Sequence, residues 1–341
     1  MSLTPELRER YSRMLVLKDF SEENMESIIR STVSVVGAGG LGSPSLRLLS
    51  AIGFGKLRII DRDIVELSNI QRQTVFDTSD IGLPKAEAAA SNLERMNPEV
   101  EYETVSLSLD EGNAIDILKG SDLILDGLDS FHSRRILNKA SITLKIPYVF
   151  AGAIEYYANL STFIPGRTGC LECLVGDATD DPDNTCAQVG VSPTLLSIAA
   201  SIEVREAVLL ATGKEPKLMN RLMTVDIDDL SFDFFDITKS ETCPTCSVLT
   251  PEIPKATNKP RVIMLCSGNY SVTPTEMLTL DLDSIAERIG SRFTVTRRKR
   301  FLQIETESGP SVTLMRRGSA VVKDVKSPEE ALETYLEIMN Y

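Results

Sequence analysis

An apolar run, Val33 to Val36, leads straight into Gly37-x-Gly39-x-x-Gly42. Glycines so spaced permit a tight turn from a strand into a helix and let backbone amides come close to a phosphate. The loop therefore demands a buried strand before it and a helix after it. Candidate strands at 33–37, 57–61, 101–105, 122–126 and 147–152 alternate with helix-like stretches at 41–53, 84–97, 110–119 and 130–145. That alternation predicts an α/β fold, a doubly wound, Rossmann-like and mainly parallel sheet. Runs at 158–165, 221–228 and 231–237 read as antiparallel strands added to the same sheet. A long helix is expected over 193–212, with Ser192 as its cap, Pro193 in its first turn and Gly213 at its stop.

Three prolines and few apolar residues mark 249–260 as a break in the pattern. A linker over 251–260 then divides a domain of residues 1–250 from a small α+β C-terminal domain of residues 261–341. That tail reads as strand, helix, several strands and an amphipathic helix at 327–339, started by Pro328 and two glutamates.

Charge narrows the partners. Acidic residues outnumber basic ones, 49 to 36, for a net charge of −13. Phosphate backbones are held by basic surfaces, so no nucleic acid is expected as main partner. No apolar run of about 18 residues is present, so no membrane span is expected. The charged first ten residues lack an apolar signal region, and a cytoplasmic protein is expected.

Asp61 follows Gly42 by 19 residues, at the end of the second strand, where an acid grips ribose hydroxyls. Gly37, Gly39, Gly40, Gly42 and Asp61 thus form a candidate adenine-nucleotide site, and NAD is the ordinary occupant of such a loop. The next stretch favours a triphosphate. Asn69, Arg72 and Gln73 stand close together, and Lys85 opens the next helix. Arginine forks onto phosphate oxygens and lysine acts as a point charge. A plain solvated face is the competing reading. In "LILDGLDSFHSRR", Asp126 ends a strand and Asp129 lies in the following turn. A carboxylate there suits magnesium on ATP phosphates, and Asp129 equally suits the cap of the following helix. His132, the one histidine, reads as a surface residue.

Four of the six cysteines form two C-x-x-C pairs, Cys170 with Cys173 and Cys243 with Cys246. In a reducing compartment such pairs bind metal more often than they form disulfides, and four thiolates suit a structural zinc. Cys266 lies in an apolar run and reads as core. Cys186 is flanked by Asp177, Asp180, Asp181 and Asp183, which disfavour a thiolate.

"RYSR" (10–13), "GAGGLGS", "IDRD", "SNIQRQ", "LPK" and "LDGLDS" occur in one order over roughly residues 5–250. In these motifs the chain resembles the ThiF/MoeB/HesA group, the ubiquitin-activating-enzyme-like adenylyltransferases. The group uses ATP to adenylate the C-terminal glycine of a ubiquitin-like protein. The resemblance implies that Asp61 binds ribose, that Arg72 and Lys85 hold phosphates, that Asp129 holds magnesium, and that Asn69 and Gln73 line the site. It implies that Arg13 reaches ATP from the other subunit of a homodimer, and that the C-x-x-C pairs hold zinc. Ser130 stands where many relatives have asparagine. Cys186 lies in a segment that often bears a cysteine, which forms a thioester or persulfide in some members and is dispensable in others.

The implied partners are a ubiquitin-like protein ending in Gly-Gly and a downstream conjugating enzyme or sulfur donor. Many sulfur-transfer relatives end in a rhodanese domain longer than this tail, with its own cysteine. The tail is therefore not expected to supply sulfur. It resembles a short module on some microbial ThiF-like proteins and suits docking of the carrier or a downstream protein. Three other readings are a tRNA-threonylcarbamoyladenosine dehydratase-like enzyme, an NAD-dependent dehydrogenase and a non-catalytic carrier-binding scaffold. The negative charge and the C-x-x-C pairs argue against the dehydratase.

Overall fold

Val33 and Val35 point into one hydrophobic layer and Val36 into another. Both faces of the strand are covered, so even its polar Ser34 is buried, with its hydroxyl 2.7 Å from that of Ser121. The computed structural model describes residues 3–180, 186–247, 260–265, 268–275, 278–306 and 309–340, with only the backbone described at 186–187. The expected linker lies outside these residues except for Pro260, as do Asp181, Asp183, Cys266 and the side chain of Cys186.

Three helices that the strand-based reading missed come first: α1 (Pro5–Arg10), α2 (Ser12–Leu15) and α3 (Glu22–Arg30). Strands and helices then alternate through β1 (Thr32–Val36), α4 (Gly42–Ile52), β2 (Lys56–Ile60), α5 (Lys85–Met96) and β3 (Glu101–Val105). The alternation continues with α6 (Ala114–Leu118), β4 (Leu123–Asp126), α7 (Phe131–Leu144) and β5 (Tyr148–Ile154). Next come β6 (Tyr157–Phe163), α8 (Leu171–Val175), α9 (Cys186–Val189), α10 (Pro193–Ala211), β7 (Arg221–Asp226) and β8 (Ser231–Asp236). The sheet order is β3-β2-β1-β4-β5-β6-β7-β8. β1 to β5 pair parallel and β6 to β8 pair antiparallel, as the sequence implied.

Two boundaries differ for local reasons. The helix expected over 110–119 begins only at Ala114. Asp110 accepts from the amides of Gly112 and Asn113, and Asn113 accepts from the amide of Asp110. These side chains satisfy the backbone in a turn and delay the helix. Ser192 precedes α10 but does not cap it, because its hydroxyl pairs with that of Thr194 at 2.8 Å. α10 is apolar nearly all round and packs against α4, β5 and β6. It ends at Ala211, with Thr212 as its C-cap before Gly213 at φ +67°.

The tail forms β9 (Arg261–Met264), β10 (Tyr270–Thr273), α11 (Leu282–Ile289), β11 (Thr294–Arg297), β12 (Phe301–Glu305), β13 (Ser311–Met315), β14 (Ala320–Lys323) and α12 (Pro328–Asn340). Two strands, not one, precede its first helix. The strands make a separate antiparallel sheet, β11-β12-β13-β14-β10-β9. α11 and α12 cover one face around Val272, Leu302, Leu314 and Val322. The other face meets the large domain through Phe301, Met315 and Val321, against Ile64 and Leu83.

At this junction Glu87, on the first turn of α5, is 2% exposed. It accepts from the Ser106 hydroxyl at 3.2 Å, while its other oxygen has no partner among the described residues. Burial pushes its carboxyl up to about 7, against the opposing pull of the Thr104 hydroxyl, Arg300 and Ser106. A raised carboxylate pKa means that the folded state holds its proton longer than the unfolded chain. Stability from this group is thus full below about 4.5 and is lost as pH rises through about 7. The loss amounts to about 3 kcal/mol. Urea unfolding of the parent and Glu87→Gln checks this. The parent should lose stability relative to the variant between those pH values, and a constant difference would refute it.

Candidate functional site

The ends of β1 and β4 meet where the chain's progression through the sheet reverses, the usual ligand crevice of such folds. Gly37 donates to the Ile60 carbonyl and Gly127 to the Val36 carbonyl, each at 2.7 Å. Gly37 has φ +95°, and a Cβ there would lie 2.3 Å from the Gly127 oxygen. A Cβ on Gly42 would lie 1.8 Å from the Gly37 oxygen, and one on Gly40 would lie 2.8 Å from Leu196 of α10. Close packing thus explains these glycines. Gly39 is different: its nearest neighbour would be 4.0 Å away, so the fold itself makes no demand for glycine there. α4 starts at Gly42 with no side-chain cap.

Asp61 is fastened to this loop. One carboxylate oxygen accepts from the amide of Ala38 and the other from that of Asp63, both at 2.7 Å. Burial pushes the Asp61 pKa up, against Lys85 and these two amides. Lys85 is 6% exposed, with its Nζ 3.3 Å from the carboxylate of Asp63. Burial opposes its charge, but Asp61, Asp63 and Glu66 outweigh that and hold Lys85 above the ordinary lysine value. A buried cation fixed in its charged form therefore stands beside the glycine loop.

Between Asp61 and Lys85 the chain folds over the start of α4. Ser43 accepts from the amide of Val75 at 2.8 Å, and Arg47 donates to the Thr74 carbonyl at 3.0 Å. Asn69 is buried and accepts from the amide of Glu66. Arg72 is half-buried, with one guanidinium nitrogen on the Ser68 carbonyl at 2.9 Å. Gln73 is 3% exposed, and its Oε1 has no partner among the described residues.

The two candidate acids after β4 separate cleanly. Asp126 is buried and takes hydrogen bonds from Arg134 Nε at 3.1 Å, from the Leu128 amide at 2.8 Å and from the Tyr148 hydroxyl. Its burial raises its pKa, against Arg134 and Tyr148. It is a structural acid. Asp129 is exposed and does not cap α7, because Ser130 does so by accepting from the amide of Ser133. Asp180 adds a second acceptor there, for the amides of Phe131 and His132. His132 is exposed, as expected.

Arg13 lies on α2, exposed, with no hydrogen-bond or ion-pair partner among the described residues. Tyr11, two residues earlier, is buried and takes a hydrogen bond from Asn97 at 3.1 Å. Gly53, at φ +93°, leaves room for the Tyr11 ring, since a Cβ there would lie 2.2 Å from its hydroxyl. Elsewhere, the Sγ atoms of Cys170, Cys173, Cys243 and Cys246 all lie within 4.8 Å of one another. Cys170 and Cys243 are 3.7 Å apart, and Cys173 and Cys246 are 3.5 Å apart. Zinc–sulfur bonds of about 2.3 Å in a tetrahedron need sulfurs about 3.8 Å apart, so the cluster is compatible with zinc.

The profile of the ThiF family matches residues 11–248. The chain belongs to the ThiF family. Among its relatives in that family is the SAMP-activating enzyme E1 of Haloferax volcanii, 34% identical over 249 residues, covering 72% of this chain and 91% of that protein. The sulfur carrier protein adenylyltransferase of Thermus thermophilus is 34% identical over 254 residues, covering 72% and 93%. The crystal structure of Escherichia coli MccB shares the fold, with TM-score 0.64 at 22% identity, over 72% of this chain and 74% of that one. The family match stops at 248, before the tail's sheet begins.

Sequence reasoning missed Asp63, the ion-pair partner of Lys85, although "IDRD" contains it. It singled out Asp126 as a candidate magnesium ligand but missed Arg134 and Tyr148, which the fold brings to that acid from α7 and β5. Arg134 donates as well to the carbonyls of Leu128 and Ala151. Arg134→Ala leaves a buried acid without its cation, at a cost of about 3–5 kcal/mol. Denaturant unfolding should show that loss, and a cost under about 1 kcal/mol would refute the assignment of Asp126 to the core.

Proposed function

We propose that this ThiF-family chain is an ATP-dependent adenylyltransferase that activates the C-terminal glycine of a ubiquitin-like protein ending in Gly-Gly. The observation that carries this is Asp61 bonded to the Ala38 amide while Lys85, buried and charged, stands beside it on Asp63. The relatives named as activating SAMP or a sulfur carrier protein support the same substrate class. In this reading residues 1–250 are the adenylation domain, 251–260 a linker and 261–341 a C-terminal domain, in a cytoplasmic homodimer.

A carboxylate oxygen of the terminal glycine attacks the α-phosphorus. A mixed anhydride bond forms, the α–β bridging bond breaks, and pyrophosphate leaves with the electron pair. Negative charge accumulates on the leaving group, so the site needs cations held there in advance. Lys85 and Arg72 supply them. The glycine carboxylate is already ionised near neutral pH, so no general base is required.

Asp61 holds the ribose hydroxyls. Gly39, unconstrained by the fold, leaves space for a phosphate against its backbone. The orphaned Oε1 of Gln73 and the buried Asn69 line the pocket. Asp129, exposed and free of capping duty, is the ligand for magnesium, which neutralises phosphate charge when bound. Arg13 serves the partner subunit's nucleotide, in keeping with its lack of a partner here. The four clustered cysteines hold a structural zinc that ties the segment after β6 to the chain after β8.

The adenylate has two fates. Attack by the Cys186 thiolate on the acyl carbon breaks the acyl–phosphate bond, expels AMP and gives a thioester for conjugation, and attack by hydrosulfide from a sulfur donor expels AMP and gives a thiocarboxylate. Cys186→Ala should abolish the first and spare the second, as read by mass spectrometry of the carrier. ATP–pyrophosphate exchange tests the activity itself. Exchange should require the carrier with its terminal glycine and should fall about a hundredfold in Lys85→Ala. No exchange with any such carrier, at full ATP occupancy, would point to another acceptor. Metal analysis should find one zinc per chain, with Cys170→Ser losing both zinc and thermal stability.

A further inference from the structure

The segment carrying Asp63, Asn69, Arg72, Gln73 and Lys85 is anchored inward by Val65, Val75 and Phe76 in the core of the large domain, and it closes on a narrow two-legged base. Val65 donates to the Leu83 carbonyl, Gly82 to the Val65 carbonyl and Lys85 to the Asp63 carbonyl, each at 2.8 Å. Ile64 and Pro84 form an antiparallel bridge between the two legs. These bonds and the inward packing of Val65 fix one side of the base and leave its outer side to another contact. The outer surface of the base presents Ile64 and Leu83.

The tail closes on that surface. Leu265, Phe301, Met315 and Val321 pack with Ile64 and Leu83. Lys323 Nζ donates to the Gly82 carbonyl at 3.3 Å, on a leg whose turn needs φ +86° at Gly82. Around this contact the tail grips the neighbouring elements. Glu94 of α5 takes ion pairs from Lys299 at 3.0 Å and from Arg300, and Glu103 of β3 takes one from Arg317 at 3.2 Å. The Ser319 hydroxyl donates to the Ser106 carbonyl, and Arg261 pairs with Asp110 at 3.2 Å. Residues 261–341 hold eleven basic and eleven acidic side chains, so the −13 of the chain resides in residues 1–260. The basic turns of the tail meet acids of that part. Tyr270, Ser271, Val272 and Thr273 of β10 are all buried, as are Val312 to Met315 of β13. The middle of the tail's sheet has no free face to offer a carrier.

We infer that the C-terminal domain is a positioning module for the nucleotide site. Its sheet clamps the base at Ile64, Gly82 and Leu83 and so sets Lys85, Asp63 and Arg72 for the triphosphate. This rests on the ATP reading above. Lys323 and Phe301 are positioning residues, since neither reaches the nucleotide loop's ligands directly.

The binding measurement uses the full chain without a carrier, with magnesium-ATP as the calorimetric probe, and the exchange measurement adds a ubiquitin-like carrier ending in Gly-Gly. Lys323→Met should weaken ATP binding about fivefold, and Phe301→Ala should weaken it more, with Lys323→Arg and Phe301→Leu restoring most of it. Exchange at saturating ATP should return towards the parent rate, and the KM for the carrier should not change. Unchanged ATP affinity with a raised carrier KM would overturn the inference and make the tail a carrier dock. Unchanged values of both would overturn it as well.

If a single variant unfolds, a charge swap decides. Glu94→Arg should weaken ATP binding, and Glu94→Arg with Arg300→Glu should recover it, while failure to recover would count against the clamp. A parent protein that binds no ATP would remove the nucleotide reading itself, a result distinct from either failure of the clamp.

Discussion

The backbones of β1 and β4 come together at Gly37 and Gly127, and the rest of the large domain is arranged around that contact. A single Cβ at either position would collide with the other's backbone, at 2.3 Å in both directions. Because the two strands run parallel and adjacent, their ends open a crevice at one edge of the sheet. β2 brings Asp61 to the same edge, and α4 starts there. The glycines thus act twice, as the joint that lets two strands touch and as the floor of the pocket between them.

Electrostatics at the site follow from burial. Lys85 would lose charge if it were buried alone, and three carboxylates prevent that. In turn Asp61 and Asp63 are kept beside it by backbone amides and the lysine. Such a cluster is pre-formed, so little rearrangement is required when a triphosphate arrives. Asp126 uses the same chemistry for a different end: its partners lock β4, β5 and α7 together and leave the turn after it to Asp129.

Much of this was legible in the sequence, for stated reasons. Largely apolar runs mark β1, β2, β4 and β5, whereas β3, with sequence EYETV and partly exposed, follows from the strand–helix alternation. The glycine spacing located the pocket, but a glycine turn serves many nucleotides, so the choice of ATP rested on "SNIQRQ", "LPK" and their relatives. Spacing could not divide Asp126 from Asp129, because Arg134 and Tyr148 reach Asp126 only through the fold. The Asx-type turn at 110–113 was written in Asp110 and Asn113, yet periodicity alone reads through it. The junction between the domains left no trace. Ile64, Leu83 and Phe301 are separately unremarkable, and only the folded chain makes them one cluster.

Gly40 and Leu196 have a bearing beyond the loop itself. A side chain at 40 would strike Leu196, so the two positions share one volume across the gap between the loop and α10. The helix that fills that volume begins only a few residues after Cys186, and its approach is pinned to Glu155 through the carbonyl of Gly190 and the amide of Ser192. Enlarging residue 40 therefore pushes first on the Leu196 side chain, in the first turn of the helix that follows the Gly190–Ser192 bridge to Glu155.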